Sequence, residues 1–424
     1  MTGHADSYYA ATANPHPEYP ALEGNARCDV AVIGAGYTGL SAALNLAERG
    51  YDVIVLEANR VGWGASGRNG GLLGSGQRKD VRDLERRFGR DTARRLWQLA
   101  EEAKRIVKSR IARHRIACDL KPGQLAVAAK SAHAADLEAS VEHLARHYDY
   151  AHVRYVPRAE LREMLGTAIY HGGALDADAA HLHPLNYALG LAAAAAAAGV
   201  RIFTNTRVLR FSDGPPARIV TAAGAVEADF VVLACNGYLD ALEPRIAAWM
   251  MPINNFVLAT APLGEARARS LIRDDVGVHD TLFVINYFRL SADRRLLFGG
   301  GETYTRRFPP DLKRFLRRYM LRVFPQLEDV GIDYAWGGRV AITMTRVPHF
   351  GRLGPNVFFA HGYSGHGIPI ASLAGALIAE AMAGTAERFD VFAHLELPSF
   401  PGGTWLRWPA LVLGMLYYSL RDKL

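Results

Sequence analysis

The stretch Cys28–Ala58, CDVAVIGAGYTGLSAALNLAERGYDVIVLEA, decides the fold. Its opening, DVAVIG, is apolar and rich in β-branched residues, the pattern of a strand buried on both faces. The strand runs into Gly34, Gly36 and Gly39, spaced as GxGxxG. The first glycine permits a tight turn, the second lets the backbone approach a pyrophosphate, and the third lets the next helix pack on the strand. TGLSAALNLAERG predicts an Ala/Leu-rich helix stopped by Gly50. Backbone N–H groups around Ala35, Tyr37 and Thr38, with the positive end of the helix dipole, suit a phosphate. YDVIVLEA predicts a second strand ending at Glu57 and Ala58, about 20 residues beyond the first glycine, where a carboxylate accepts from ribose hydroxyls. An acid there disfavours a 2′-phosphate and sets NADP aside. Strand, glycine turn, helix, strand and acid in register point to a bound dinucleotide. They leave open whether it is a nicotinamide that exchanges or a flavin that stays.

With 424 residues, half of them hydrophobic, the chain has room for roughly two or three domains. A second glycine-rich stretch, Arg60–Gly76, follows the second strand and could bring backbone N–H groups close to a ligand. Helical patterns follow from Val81 to about Arg115, over 132–149 and over 157–165, with a strand at GQLAVAA. HLHPLNYALGLAAAAAAAGVRIF returns to helix, glycine stop and strand, and ADFVVLACNGY is a buried-type strand. From Trp249 to Tyr334 short strands and a basic helix predict an antiparallel sheet with helices. NVFFAHGYSGHGIPIASLAGALIAEAMAG gives a strand, a glycine turn and a small-residue helix. The expected fold is therefore α/β: a Rossmann-like dinucleotide-binding domain (28–115, 181–238, 335–385) interleaved with an α+β substrate domain on an antiparallel sheet (116–180, 239–334). An N-terminal arm (1–27) and a C-terminal tail (386–424) flank them.

The formal net charge is +7. The arginines alternate with apolar and acidic residues at helical spacing, the pattern of solvated helix faces, so no nucleic-acid partner is expected. Three dispersed cysteines, Cys28, Cys118 and Cys235, without a CxxC, argue against disulfides and structural zinc and for a reducing compartment, the cytoplasm. No metal is expected: His181 with His183, and His361 with His366, lack further ligands in register. Neither Ser66 nor Ser364 sits in a GxSxG turn. Met1–Pro20 has no apolar leader core and reads as an extended arm. Trp408–Leu420 is apolar but too short to span a bilayer. It reads as a helix docked on the body, or one touching a membrane surface or a partner.

SYYAATAN at Ser7–Asn14, GWGASGRNGG at Gly62–Gly71, NYFRLSADRRLLFGGGE at Asn286–Glu302, GYSGHG at Gly362–Gly367 and the tail GMLYYSLRDKL join the dinucleotide motif in one pattern. It resembles the FAD-dependent amine and amino-acid oxidases of D-amino-acid oxidase and sarcosine oxidase type, and within them the γ-glutamylputrescine oxidoreductase-like group. The resemblance implies FAD. Gly34, Gly36 and Gly39 would face the pyrophosphate and Glu57 the ribose. Gly64, Ala65, Ser66, Gly67, Asn69, Gly70, Gly71 and Leu72 would run along the flavin side, Val208 would meet adenine, and Gly365, His366, Gly367 and Ile368 would lie near a flavin carbonyl. Arg68 stands where some relatives attach the flavin through a His, and no Cys follows Cys235, so FAD is expected to be non-covalent. No second GxGxxG occurs. No Lys lies between Lys130 and Lys313 to fill the oxygen-activating role known in some relatives, which leaves O2 or another acceptor open.

The implied reaction moves a hydride from an amine-bearing carbon to the flavin, and the imine then hydrolyses. The amine would be γ-glutamylputrescine-like or otherwise polyamine-derived. An N-methyl amino acid, an amino acid or a non-catalytic flavin role are the alternatives. Neutralising a lysine-like amine of pKa ~10.4 at pH 7 costs about 4.6 kcal/mol, which burial against apolar walls offsets. Tyr287, Phe288 and Tyr363 are the expected walls, Arg289 a grip on a substrate carboxylate, and His366 a proton relay or flavin polariser. The number of subunits is not legible.

Overall fold

The chain alternates between two sheets. The computed structural model describes residues 3–303, 307–407 and 409. In the first, eight-stranded sheet, Gly24–Ile33 lies between Val53–Leu56 and Gly224–Leu233 and runs parallel to both. Arg201–Phe203 and Val357–His361 extend this parallel core on either side. His349–Leu353 closes one edge antiparallel, and Arg210–Phe211 with Ala217–Val220 form a small antiparallel flap on Gly224–Leu233.

A parallel sheet must be covered on both faces, and the alternation within Gly24–Ile33 shows how. Val30 and Val32 face a core shared with the helices Tyr37–Ala47, Arg90–Arg113, Pro184–Ala197 and Gly367–Met382. Ala31 and Ile33 face a second core completed by Leu239, Ile246 and Met250. The small residues of the last helix have a packing cause. A Cβ on Gly375 would come 2.3 Å from the backbone nitrogen of Ala42, so only glycine lets these two helices lie this close. Ser41 Oγ donates to the Ser372 carbonyl across the same contact.

The second sheet has nine strands, ordered Ile332–Ile342, Met251–Thr260, Leu296–Thr303, Tyr287–Leu290, Gly277–Asp280, Lys121–Val127, Gly172–His181 and Leu72–Leu73, with Val153–Pro157 also on Gly172–His181. Among the described strands its pairings are antiparallel except Gly277–Asp280 with Lys121–Val127. One face packs Phe256, Phe288 and Phe298 against the helix Leu312–Val323. The strand Ile332–Ile342 runs unbroken through the 334/335 boundary drawn from sequence and belongs to this sheet.

The N-terminal segment is not an extended arm. Ser7 caps a short helix, Tyr8–Ala11, by accepting from Ala10 N at 3.1 Å. Two adjacent tyrosines drive this docking by burying their rings: Tyr9 packs edge-on to Trp336 and His183, with centroids 5.1 and 4.9 Å away. Trp408–Leu420, apart from Pro409, lies outside the described residues. No described helix is long and apolar enough to cross a membrane.

Candidate active site

A cavity of about 840 Å³ opens at the carboxyl ends of the first sheet, beside Ile33, Leu56 and Ala234, and continues under the second sheet to Asn254, Tyr287 and Ile342. Carboxyl ends of parallel strands are where open α/β sheets bind ligands. The volume is in the upper range of small-molecule sites, roughly 300–1,000 Å³.

At the first-sheet end the three glycines divide the work as their spacing requires. Gly34 has φ +110°, and a Cβ there would sit 2.9 Å from the Ala234 carbonyl oxygen. A Cβ on Gly39 would come 1.9 Å from the Gly34 oxygen, so this glycine serves helix–strand contact and does not line the cavity. Gly36 lines it and offers no side-chain cap to the helix; Ser66 Oγ reaches over instead and accepts from Tyr37 N at 3.0 Å. The Glu57 carboxylate accepts from Ala35 N at 2.9 Å and Asn59 N at 2.8 Å. Burial raises its pKa, and these N–H donors oppose the rise. Thr38, Ala58 and Val208 line the same end.

The second glycine loop is braced from within. Asn69 Nδ2 donates to the carbonyls of Ala65 and Ser66 at 3.1 and 3.0 Å, its Oδ1 accepts from Gly71 N at 2.8 Å, and the Tyr37 hydroxyl donates to the Ser66 carbonyl at 2.6 Å. Gly64, Ala65, Ser66, Asn69, Gly70 and Leu72 line the cavity. Gly67 and Gly71 do not. A Cβ on Gly67 would strike the Gly62 oxygen at 2.4 Å, and one on Gly71 the Leu182 oxygen at 2.2 Å, so both are packing glycines. Ala35 is fully buried beside the turn and acts through its N–H.

The residues expected to carry chemistry separate. Tyr287 faces the cavity, its ring between Gly70 and Gly299 and its hydroxyl donating to Asn255 Oδ1 at 2.5 Å. Tyr363 also lines it, its hydroxyl 2.6 Å from Thr38 Oγ1. Phe288, next along the strand, points to the opposite face and is core, as the period of two demands. Arg289 is 2 % exposed and does not reach the cavity. Its Nε donates to Gly70 O at 3.0 Å and its Nη2 to the Tyr9 hydroxyl at 3.2 Å, so it clamps structure instead of gripping a substrate carboxylate. Gly365, Gly367 and Ile368 line the cavity at the start of the helix Gly367–Met382, but the His366 ring does not. That ring packs behind the loop, toward Gly74 and Gln124. Burial lowers its pKa to about 4, which keeps it neutral.

Sequence reasoning missed several lining residues: Asn254, Asn255, Phe283 and Ile285 of the second sheet and its loops, and Arg78 and Arg346. Only Arg346 left a signal, in the TMTRVP turn. Cys235 lines the cavity as well, with burial pushing its thiol up to about 12. Among the described residues no lysine lines the cavity, and no group of three or more His, Cys, Asp or Glu could hold a metal ion.

The family described as FAD dependent oxidoreductase (DAO) matches residues 29–381. The chain is 45 % identical over 425 residues to the γ-glutamylputrescine oxidoreductase of Escherichia coli (strain K12), covering 100 % of both chains. It is 42 % identical to the probable oxidoreductase OrdL of Rhizobium meliloti (strain 1021), over 98 % of this chain and 97 % of that one. Among solved structures, glycine oxidase from Geobacillus kaustophilus superposes with a TM-score of 0.71 at 21 % identity, covering 88 % of this chain and 97 % of the other, a likeness of fold.

The residues present fit FAD. The cradle at Gly34 and Gly36 would be filled by any Cβ, both Glu57 oxygens keep a lone pair beyond the backbone bonds they accept, and the cavity runs unbroken from Glu57 to Tyr287. The chain belongs to the DAO family of FAD-dependent oxidoreductases.

Proposed function

We propose that the protein oxidises the C–N bond of an amine, γ-glutamylputrescine-like or otherwise polyamine-derived, and that it holds its FAD without a covalent bond. The observation that carries this reading is the identity of 45 % with γ-glutamylputrescine oxidoreductase along the whole of both chains. Bound FAD supplies the acceptor for a hydride from the carbon bearing nitrogen. The nitrogen lone pair becomes the second bond of the imine, which adds water and releases an aldehyde with an amine or ammonia.

The side chains contribute desolvation and orientation. Leu72, Phe283, Ile285, Tyr287 and Ile368 give the second-sheet end apolar and aromatic walls. Such walls penalise the ammonium form and lower the amine pKa, so the neutral, donating form is reached without a dedicated base. The N-terminus of the helix Gly367–Met382 opens on the cavity and favours negative charge there. Arg68 stacks 4.4 Å over Trp63 and donates to the carbonyls of Trp63 and Gly337, leaving no nucleophile at the position where some relatives attach FAD. O2 or another acceptor reoxidises the flavin.

The test is anaerobic addition of γ-glutamylputrescine, free polyamines and N-methyl amino acids to the yellow holoenzyme. Bleaching by the γ-glutamyl amine is expected, and acid precipitation should leave the FAD in the supernatant. A spectrum unmoved by every amine would reduce the protein to a flavin-binding role. Readmitted air then reports on oxygen.

A further inference from the structure

A second pocket, of about 360 Å³, lies away from the flavin cavity, between the helices Tyr37–Ala47, Arg90–Arg113 and Gly367–Met382. Its size falls within the range of small-molecule sites, roughly 300–1,000 Å³. Leu44, Ile106 and Ala376 give it apolar walls. Arg105, Ser109, Arg110 and Arg113 reach it from one face of the long helix, as their helical spacing requires. The other two helices also open on the flavin cavity, which Tyr37 and Thr38 line from one, and Gly367, Ile368 and Ala371 from the other. Each thus presents its first turn to the FAD site and a later turn to this pocket.

Arg110 is the unusual residue there. It is 8 % exposed, and its Nη1 donates to Ser41 Oγ at 2.8 Å. The Tyr187 hydroxyl, 3.2 Å from Ser372 Oγ, also acts on its charge. Among the described residues no carboxylate forms an ion pair with it. The acids of the pocket are engaged: Arg113 stands 3.1 Å from Glu48, and Arg388 holds both Glu102 and Glu380. Arg289, also buried, spreads its donors over two carbonyls and a phenol. Arg110 commits Nη1 to one hydroxyl and lines the pocket with the rest of its fork. Burying a guanidinium without a counter-charge is costly. Its place in the last turn of the helix, where the dipole favours a cation, offsets only a part of that cost. An oxyanion in the pocket would supply the missing charge to a planar donor fork that suits it.

We propose that this second pocket binds a small oxyanion, a free phosphate or the carboxylate of an organic acid, on Arg110, with the exposed Arg105 at its rim. Bound there, the anion neutralises the buried guanidinium. It also steadies the contact in which Ser41 Oγ accepts from Arg110 and donates to the Ser372 carbonyl. Ser41 and Ser372 belong to the two helices that open on the flavin cavity, so occupancy of the pocket raises the stability of the FAD-binding half. The site owes nothing to the identity of the amine and goes beyond the reaction proposed above.

The test is the urea midpoint of the holoprotein against increasing inorganic phosphate or succinate, with chloride exchanged so that ionic strength stays fixed. A saturable rise is expected. Arg110→Met should raise the half-saturating concentration about 10- to 150-fold, the range for hydrogen bonds to a charged group. Arg105→Gln should raise it about 2- to 5-fold, as for an exposed charge pair. Ser109→Trp fills the pocket from an exposed position and should abolish the rise, which keeps the test decisive if Arg110→Met does not fold. A response to phosphate alone supports the site and identifies the inorganic ion, and a response to succinate supports it and identifies an organic acid. No saturable rise with either anion would overturn the proposal. So would a rise that the three variants share with the wild type, which is the general stabilisation that phosphate gives by exclusion from protein surfaces. No turnover enters the measurement, so failure of the amine-oxidising reading would leave the result standing.

Discussion

Tyr9 and Arg289, 280 positions apart in sequence, meet in the interior: the guanidinium Nη2 donates to the phenol oxygen at 3.2 Å. The same guanidinium donates through Nε to Gly70 O, on the cavity wall. One buried cation thus ties the N-terminal helix to the loop that faces the ligand.

Arg289→Met should therefore act on stability first. Each buried acceptor left unpaired costs about 1–3 kcal/mol, and Gly70 O and Leu290 O both lose a donor. The apoprotein should unfold at lower urea, and FAD should bind more weakly because Gly70 is released. Urea midpoints of apoprotein and holoprotein check this. A variant of unchanged stability that had lost only affinity for carboxylate substrates would contradict the clamp.

Glu57→Gln tests the ribose end. An amide places an NH2 against one of the two backbone donors, Ala35 N or Asn59 N, that the carboxylate now satisfies. FAD affinity should fall about 10- to 100-fold, the range for losing charged hydrogen bonds. Fluorescence titration of the apoprotein measures it, and kcat at saturating FAD should change much less.

Gly299→Ala should displace a wall without emptying the site. A Cβ there would lie 2.0 Å from Tyr287 Cζ, so the ring must swing away from Gly299. The expected result is full flavin content with a raised KM for the amine. Gly39→Ala is the contrast: its Cβ would meet the Gly34 oxygen at 1.9 Å, and the variant should purify colourless.

Acid should destabilise the fold through buried imidazoles. His183 caps the helix Pro184–Ala197, its Nδ1 accepting from Asn186 N at 3.1 Å, which requires the neutral ring. Burial, with the Arg289 charge, lowers its pKa from 6.5 to about 3. Between these values the unfolded chain binds the extra proton, so stability falls as the pH drops from about 6.5 toward 3, by up to about 1.4 kcal/mol per unit for each such ring. Asparagine caps helices without titrating. His183→Asn should flatten part of that slope, read from urea midpoints between pH 7 and 5.

The Rossmann-like half was legible because its residues answer to local rules. Gly34, Gly36 and Glu57 act through turn geometry and register and line the cavity, whereas Gly39, expected to face the pyrophosphate, packs the helix on the strand instead. The packing glycines Gly67 and Gly71 sit in the right loop: the Gly62 oxygen that forbids a Cβ on Gly67 belongs to the same stretch, but the Leu182 oxygen that forbids one on Gly71 comes from far along the chain. Arg289 was misread because the sequence gives no sign that Tyr9 folds back to meet it. Phe288 was misread because strand parity cannot tell which face of a sheet meets a ligand until the second sheet is placed. Arg78 and Arg346 come from a loop and a turn far apart in sequence, and only the closed fold brings them to one end of one cavity.

The central strand Gly24–Ile33 finds its partner Gly224–Leu233 some two hundred residues later, and the cavity is closed only by Tyr363–Ala371. A ribosome therefore exposes the glycine turn long before the rest of its enclosure exists. Cofactor loading must follow synthesis of nearly the whole polypeptide, and until then the nascent chain carries an unpaired edge of the kind that chaperones recognise.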